Sequence, residues 1–418
     1  MMLNKTALTV LGTIALAVGA AGCNNPTLIK TPIGLLGDEN FAERVPPEQR
    51  IKDVQVLYAT DRAARENRKA PQRYTSDRAT TLTLGTATVR FGEAGVGFES
   101  VAQRTIDEEK VQMRLLDVEE FGVLPSTVPL GQRETLTDLD GTQPFIDAVN
   151  ERLEQSDEKV VTVFVHGFNT AFPWSVRMSA SLWHMMDRQG LVIAYSWPSH
   201  DNPFSYAQDR ESGSLTSRAL RELLFLLAQE SIADRINLIT YSAGAPTLMS
   251  TLYQIRLIYA DETPDEIQAA TKIKDVIFAG ADLDPDVVRV TGMDRFQDVA
   301  DRITIYTSRK DSGVGLSSFF YFKGERLGKI EQELTDQQRK DLLDYAELNI
   351  IDVTYAQKRA GKGDFWAHGY WYGNPWVSHD VTTLLLTGAA ADARGLVQED
   401  DDAVWRFPKD FPEVISTR

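Results

Sequence analysis

The stretch Asn237-Leu-Ile-Thr-Tyr-Ser242-Ala-Gly-Ala-Pro246 brings a hydroxyl to the end of an apolar run, places a glycine two residues on, and continues into a helix-like sequence. Residues in this order form a nucleophile elbow: a strand delivers the serine to a sharp turn, the glycine leaves room for the strained backbone, and a helix begins under the hydroxyl. Thr240 stands where the first glycine of G-x-S-x-G is usual. Extra bulk at an elbow can strain the turn or disable it, so whether Thr240 reduces activity is left open by the sequence.

A serine hydroxyl is a poor nucleophile near neutral pH and needs a base. The chain has five histidines: His166, His184, His200, His368 and His379. At an elbow of this kind the partners follow in chain order serine, acid, histidine, which leaves His368 and His379. His379 sits at the start of a closing helix, where the cationic form is disfavoured, so it accepts a proton less readily. His368, in the loop Gly363-Asp-Phe-Trp-Ala-His-Gly-Tyr-Trp-Tyr-Gly373, is the better base. Asp311, four residues past the strand ending at Thr307, is placed to hold its imidazole; Asp282 and Asp284 after the preceding strand are rivals. An oxyanion hole needs two converging N–H donors. Ala243, after the nucleophile, supplies one, and Phe168, in the loop His166-Gly-Phe-Asn169, supplies the other. His166 itself is expected to shape that loop. Trp366, Trp371 and Trp376 either shape a substrate cleft or close the domain, and Phe319 to Phe322 reads as core or lid packing.

Positioning these residues takes alternating strands and helices. Asp53–Ala59, Thr81–Val89 and Lys110–Glu119 alternate in polarity as strands do. Between the first two, Thr60-Asp-Arg62 and the basic residues up to Arg73 read as a surface loop. A helical face begins at Thr142, and Val160–Val165 is apolar throughout, as a central parallel strand covered on both faces should be. Strands at 191–197, 236–240, 276–279, 303–307 and 349–353 alternate with helices around 174–188, 214–230, after 242 and near 294–300. This pattern predicts an α/β fold with one mostly parallel sheet, helices on both faces, a β-rich beginning and a helical insertion, 311–348, before the last strand. The chemistry then belongs at the carboxyl ends of the strands.

With 44 basic and 60 acidic residues and a formal net charge of -16, binding to nucleic acid or to an anionic membrane through a basic face is disfavoured. No H-E-x-x-H, Walker loop or paired C-x-x-C occurs, so nothing in the sequence calls for a metal or cofactor. Lys5 precedes an apolar segment, Ala7–Ala21, and Ala20-Ala21-Gly22-Cys23 follows with the chain's one cysteine. That segment resembles a bacterial lipobox, with Cys23 as the lipidated new N-terminus, although a plain signal peptide cut near Gly22 has the same outline. By resemblance to such lipoproteins, Asn24 after the cysteine implies an outer-membrane anchor with the domain in the periplasm. The expected organisation is a signal peptide (1–22), a proline-rich lipidated tether (23–50), one domain (51–390) and a C-terminal strap (391–418). The sequence sets no oligomeric state.

From about Asp53 to Leu386 the chain resembles the DUF900 group of α/β-hydrolases, uncharacterised esterase- or lipase-like bacterial proteins. The matching pieces are Tyr58-Ala-Thr-Asp-Arg62, Phe164-Val-His-Gly-Phe-Asn169, Ser196-Trp-Pro-Ser199 with Tyr206 and Asp209-Arg210, Tyr241-Ser-Ala-Gly244, Ala281-Asp-Leu-Asp284, Tyr306-Thr-Ser-Arg-Lys-Asp311 and His368-Gly-Tyr370. The resemblance implies an α/β-hydrolase fold with Ser242, Asp311 and His368 as its triad. Tyr241, Thr240 and Gly369 depart from the residues usual there. The resulting expectation is a carboxylesterase acting on a small-molecule or lipid ester through an acyl-enzyme, and lipase, thioesterase and amidase chemistry fit the same residues. The alternative is a non-catalytic envelope lipoprotein that keeps the fold for binding.

Overall fold

The computed structural model describes residues 27–125, 142–292, 295–313, 326–329, 348–361, 367–399 and 402–416. Eleven strands among them form one sheet. The run Val160–Val165 (β4), wholly buried, lies between Leu191–Tyr195 (β5) and Arg235–Tyr241 (β6), parallel to both. Ile273–Ala279 (β7), Arg302–Thr307 (β8) and Leu348–Asp352 (β9) extend the parallel sheet outward from β6. On the other side Asp53–Ala64 (β1) pairs parallel with β5, and Tyr74–Phe91 (β2) and Met113–Pro125 (β3) add an antiparallel ribbon. The β-rich beginning is therefore part of the main sheet.

Alternation along each strand divides the core in two. Val163, Leu238, Phe278 and Ile305 face one side, where helices Thr142–Glu154 (α1), Tyr206–Glu230 (α2) and Ala245–Ile258 (α3) bury their apolar stripes. Phe164, Ile239, Ile277 and Tyr306 face the other, against helices Phe172–Met185 and Pro375–Thr387. A strand whose two faces are both covered has no polar side to show, which is why β4 is apolar throughout. The parallel strands end on one edge of the molecule, where the loops converge.

Several sequence expectations shift. The stretch expected to be a tether is seated on the domain from Thr27 on: Thr27 bridges Gln112, Ile29 N–H donates to Ser181 Oγ at 2.6 Å, and Phe41 and Val45 are fully buried. Its prolines space short turns rather than an extended linker. The residues 60–62, expected on the surface, are buried at the end of β1. Helix Pro285–Gly292, which the sequence reading passed over, follows β7. The signal segment, Cys23, most of the insertion and Trp366 lie outside the described residues, as do Phe319 to Phe322. Trp371 and Trp376 are buried in the second core and close the domain rather than line a cleft.

The C-terminal strap does more than cover the surface. Val404–Arg406 (β11) pairs parallel with β9, Val397–Gln398 (β10) pairs with β11, and the Phe411 ring sits 4.8 Å from Phe407 and 5.5 Å from Trp376. Phe411 is fully buried. Phe411→Ala should therefore cost about 3–5 kcal/mol in urea unfolding. A change within the ±0.5 kcal/mol expected of a surface site would mean the strap is not part of the cooperative fold. Among the described residues no helix is long and apolar enough to cross a membrane, and no group of three or more His, Cys, Asp or Glu side chains is arranged to hold a metal ion.

Candidate active site

Ser242 follows β6 directly, with Tyr241 still extended and Ser242 itself at φ 54°, the left-handed region that L-residues seldom adopt. The turn continues through Gly244 into α3, so the Ala243 N–H stands at a helix start, where backbone donors have no partner within the helix. The geometry depends on Gly244. A Cβ there would lie 2.4 Å from His166 O and 2.6 Å from Thr240 Oγ1.

Thr240 is where the question left open at the elbow meets the structure. Its side chain is fully buried, donates to Val165 O at 3.2 Å, and occupies the space left by the missing Cβ of Gly244. Its bulk is thus absorbed by the second glycine of the turn, and Ser242 still reaches the left-handed conformation. Thr240→Gly should lower stability by about 1–3 kcal/mol, through a lost buried hydrogen bond, a small cavity and a freer unfolded chain, without raising activity. Chemical denaturation together with an esterase assay checks both halves.

The loop after β4 presses on this turn. A Cβ on Gly167 would lie 2.9 Å from Ser242 Cβ and 2.9 Å from Tyr241 O. Thr170 Oγ1 donates to Phe168 O at 3.1 Å, Asn169 takes φ 55°, and the Phe168 ring meets Tyr206 edge-on at 5.1 Å. His166 is fully buried, stacks 5.0 Å from Trp197, and places Nδ1 2.8 Å from Gly167 O. Burial first, and Arg62 second, hold it well below its ordinary pKa, so it is neutral.

On the other side of Ser242, Asp311 Oδ2 lies 2.7 Å from His368 Nδ1, and Asp311 is fully buried. The two rivals are occupied elsewhere. Asp282 accepts from Tyr206 OH and lies 3.4 Å from Arg326 Nε, and Asp284 caps its own turn by accepting from Asp286 N–H. Asp282 N–H also donates to Ser242 O at 3.2 Å, which anchors the elbow from behind.

His368 is held on every side. Its ring packs 4.7 Å from that of Tyr241, the residue before the serine. Two glycines give it room: a Cβ on Gly313 would meet His368 Cγ at 2.6 Å, and one on Gly280, at φ 56°, would meet Cε1 at 3.0 Å. Its loop is tied down by Gln357 Nε2 donating to Ala367 O at 2.8 Å and by Tyr370 OH donating to Tyr306 O at 2.7 Å. Burial, and then the charge of Asp311, push the Tyr370 phenol well above its ordinary pKa, so it stays a donor. His379, the other candidate base, packs against Gly34 and the Phe411 ring in the terminal segments. His184 is buried between Thr105 and Arg188.

The structure thus brings Tyr241, Asp311 and His368 together and sets the Gly167 loop against Ser242. It also shows groups that sequence reasoning missed. Asp209 accepts from Ser199 Oγ at 2.6 Å and lies 2.7 Å from His200 Nδ1, pinning the loop after β5. Burial raises the pKa of that carboxyl. Arg62 ties the same loop to the Gly167 loop. The run Tyr58-Ala-Thr-Asp-Arg62 was a signal for it, but a charged run next to basic residues also reads as surface. A separate cavity of about 260 Å³, lined in part by Gln49, Arg152, Trp183 and Leu191, lies at the amino end of β5, away from these residues.

The family comparison agrees with the sheet. The family model described as alpha/beta hydrolase of unknown function (DUF900) matches residues 143–386, more than half of the chain. No curated protein matches it. Among solved structures, the rice cell wall degrading esterase LipA from Xanthomonas oryzae is similar at 10% identity, covering 74% of this chain and 91% of that one, with a TM-score of 0.26. A ligand-bound form of the same esterase matches at 13% identity over 49% of this chain and 44% of that one, with a TM-score of 0.21, so the chain spans under half of its length. At these scores the likeness adds nothing to the fold that the sheet itself displays. The match over residues 143–386 makes this chain a member of the DUF900 family of α/β hydrolases.

Proposed function

We propose that this protein is a serine hydrolase, most simply a carboxylesterase, with Ser242 as nucleophile, His368 as base and Asp311 as the acid that orients it. The observation that carries this reading is the buried Asp311 carboxylate on His368 Nδ1, with that imidazole packed on Tyr241 beside a serine in the left-handed conformation. With Nδ1 committed to Asp311, Nε2 is the nitrogen left to take the hydroxyl proton. Ser242 Oγ then bonds to the ester carbonyl carbon, and the carbonyl electrons move to an oxyanion held by the Ala243 and Phe168 N–H groups. Collapse expels the alcohol, which takes the proton from His368. Water, deprotonated by the same imidazole, attacks the acyl-enzyme and releases the acid.

In this reading, residues 1–22 are a signal peptide and Cys23 carries a lipid. The domain is then tethered to the cell envelope, in the periplasm at the outer membrane, where it meets small-molecule or lipid esters. A non-catalytic binding role loses its motive, because Thr240 fits beneath Gly244 without displacing Ser242.

A fluorophosphonate probe tests the proposal. Wild-type protein should label, and His368→Ala should label far more slowly. If wild type fails to label, or the histidine variant labels at the wild-type rate, the enzymatic reading fails.

A further inference from the structure

Arg62 has no part in the triad, yet it sits behind the loop that flanks Ser242 and is 2% exposed. Its five N–H groups find five acceptors: Ser196 Oγ at 3.0 Å from Nε, Thr75 O at 3.2 Å and Ser199 O at 3.0 Å from Nη1, and Thr170 O at 2.6 Å and His166 Nε2 at 3.4 Å from Nη2. None of the five is a carboxylate. A buried guanidinium without a direct counter-ion is costly. Burial brings its pKa down to about 10, against the pull of Asp61, Asp209 and Asp201. Holding the two loops together accounts for three of the N–H groups and tying them to Thr75 on β2 for a fourth, all through neutral acceptors. The fifth points at a histidine.

We propose that Arg62 is a positioning residue for the oxyanion hole: by donating to His166 Nε2 it assigns the ring's single proton to Nδ1, whose N–H fixes the Gly167–Phe168 peptide. This role rests on the hydrolase reading above.

His166 lies between two carbonyls, Gly167 O at 2.8 Å from Nδ1 and Trp197 O at 3.1 Å from Nε2. A neutral imidazole has one proton and can serve only one of them. A proton on Nε2 would serve Trp197 but meet the cationic N–H of Arg62 head-on, and it would leave the Nδ1 lone pair against the closer carbonyl. A proton on Nδ1 serves Gly167 and turns the Nε2 lone pair toward the cation, the stronger, charge-assisted arrangement. A trans peptide is planar, with its C=O and N–H on opposite sides. Holding Gly167 O toward His166 therefore turns the Phe168 N–H the other way, in a loop whose Gly167 abuts Ser242. Arg62 also holds Thr170 O, and Thr170 Oγ1 holds Phe168 O, so the carbonyls on both sides of the Phe168 N–H are held.

The test is the tautomer of His166, read by nitrogen NMR on the full chain labelled with 15N-histidine, with His166→Gln identifying the signal. Wild type should show a neutral ring protonated at Nδ1. Arg62→Met should move the proton to Nε2 and lower kcat for an activated ester by about 10- to 100-fold with little change in KM, a partial loss of one oxyanion donor. Arg62→Lys, which keeps a donor near Nε2, should retain the Nδ1 tautomer and recover part of kcat. A wild-type proton on Nε2 would overturn the proposal, as would an Arg62→Met protein with native circular dichroism and unchanged kcat. If Arg62→Met does not fold, the wild-type and lysine tautomers still decide. Wild type that never labels with fluorophosphonate sinks the hydrolase reading and this role with it; labelling with the proton on Nε2 sinks only the role of Arg62.

Discussion

Ser242→Ala is expected to abolish fluorophosphonate labelling and to lower kcat for an activated ester by about 10⁵- to 10⁶-fold, the scale on which a triad acts as one unit. The loss is chemical rather than structural. Alanine has the same Cβ as serine and bears the same left-handed strain at φ 54°, so the fold and the thermal midpoint should barely move. Ser242→Gly separates the two effects. It is equally inactive, but it relieves a Cβ penalty of about 1–2 kcal/mol and should melt later than the alanine variant. If both variants melt alike, Ser242 is not held in a strained turn. If the alanine variant keeps its activity, another residue is the nucleophile.

Asp311→Asn is expected to lower kcat by about 10⁴-fold while the protein remains folded. The asparagine amide can donate where the carboxylate accepted, so His368 Nδ1 becomes the acceptor and its proton sits on Nε2. Nitrogen Nε2 then has no lone pair for the serine proton. Asp282→Asn provides the contrast. It disturbs the contacts to Tyr206 and Arg326 but leaves the Asp311–His368 pair intact, so its labelling rate should fall far less. Equal losses from the two asparagine variants would mean that the acid has been misassigned. Steady-state kinetics on both, with circular dichroism to confirm folding, is the check.

How far the sequence reveals this arrangement differs by residue, and the reasons are physical. The central strands are legible because a strand covered on both faces leaves no polar residue in Val160–Val165. Asp311 and His368 were reachable from strand order, since a mostly parallel sheet brings successive strand ends to one edge. Arg62 was not. Its five donors are satisfied by three backbone carbonyls, a hydroxyl and a ring nitrogen spread from Thr75 to Ser199, which no local pattern encodes. Thr240 reads as a defect in one dimension because the space that admits it belongs to Gly244. The prolines after residue 24 suggest a linker, whereas Ile29 and Phe41 are buried by partners distant in the chain, among them Ser181 and His184 on helix Phe172–Met185. Trp371 and Trp376, close in sequence to His368, are drawn into the core by Phe164 on β4 and by Phe407 and Phe411 in the strap.

Rate losses can have more than one cause, but a covalent acyl group on one named oxygen cannot be produced by a binding protein. The direct measurement is mass spectrometry of wild-type protein quenched in acid during turnover of an aryl ester, followed by peptide mapping. The account predicts one acyl group on the peptide containing Ser242, absent from Ser242→Ala. Turnover with no acyl adduct, or with the adduct on any other residue, would contradict it.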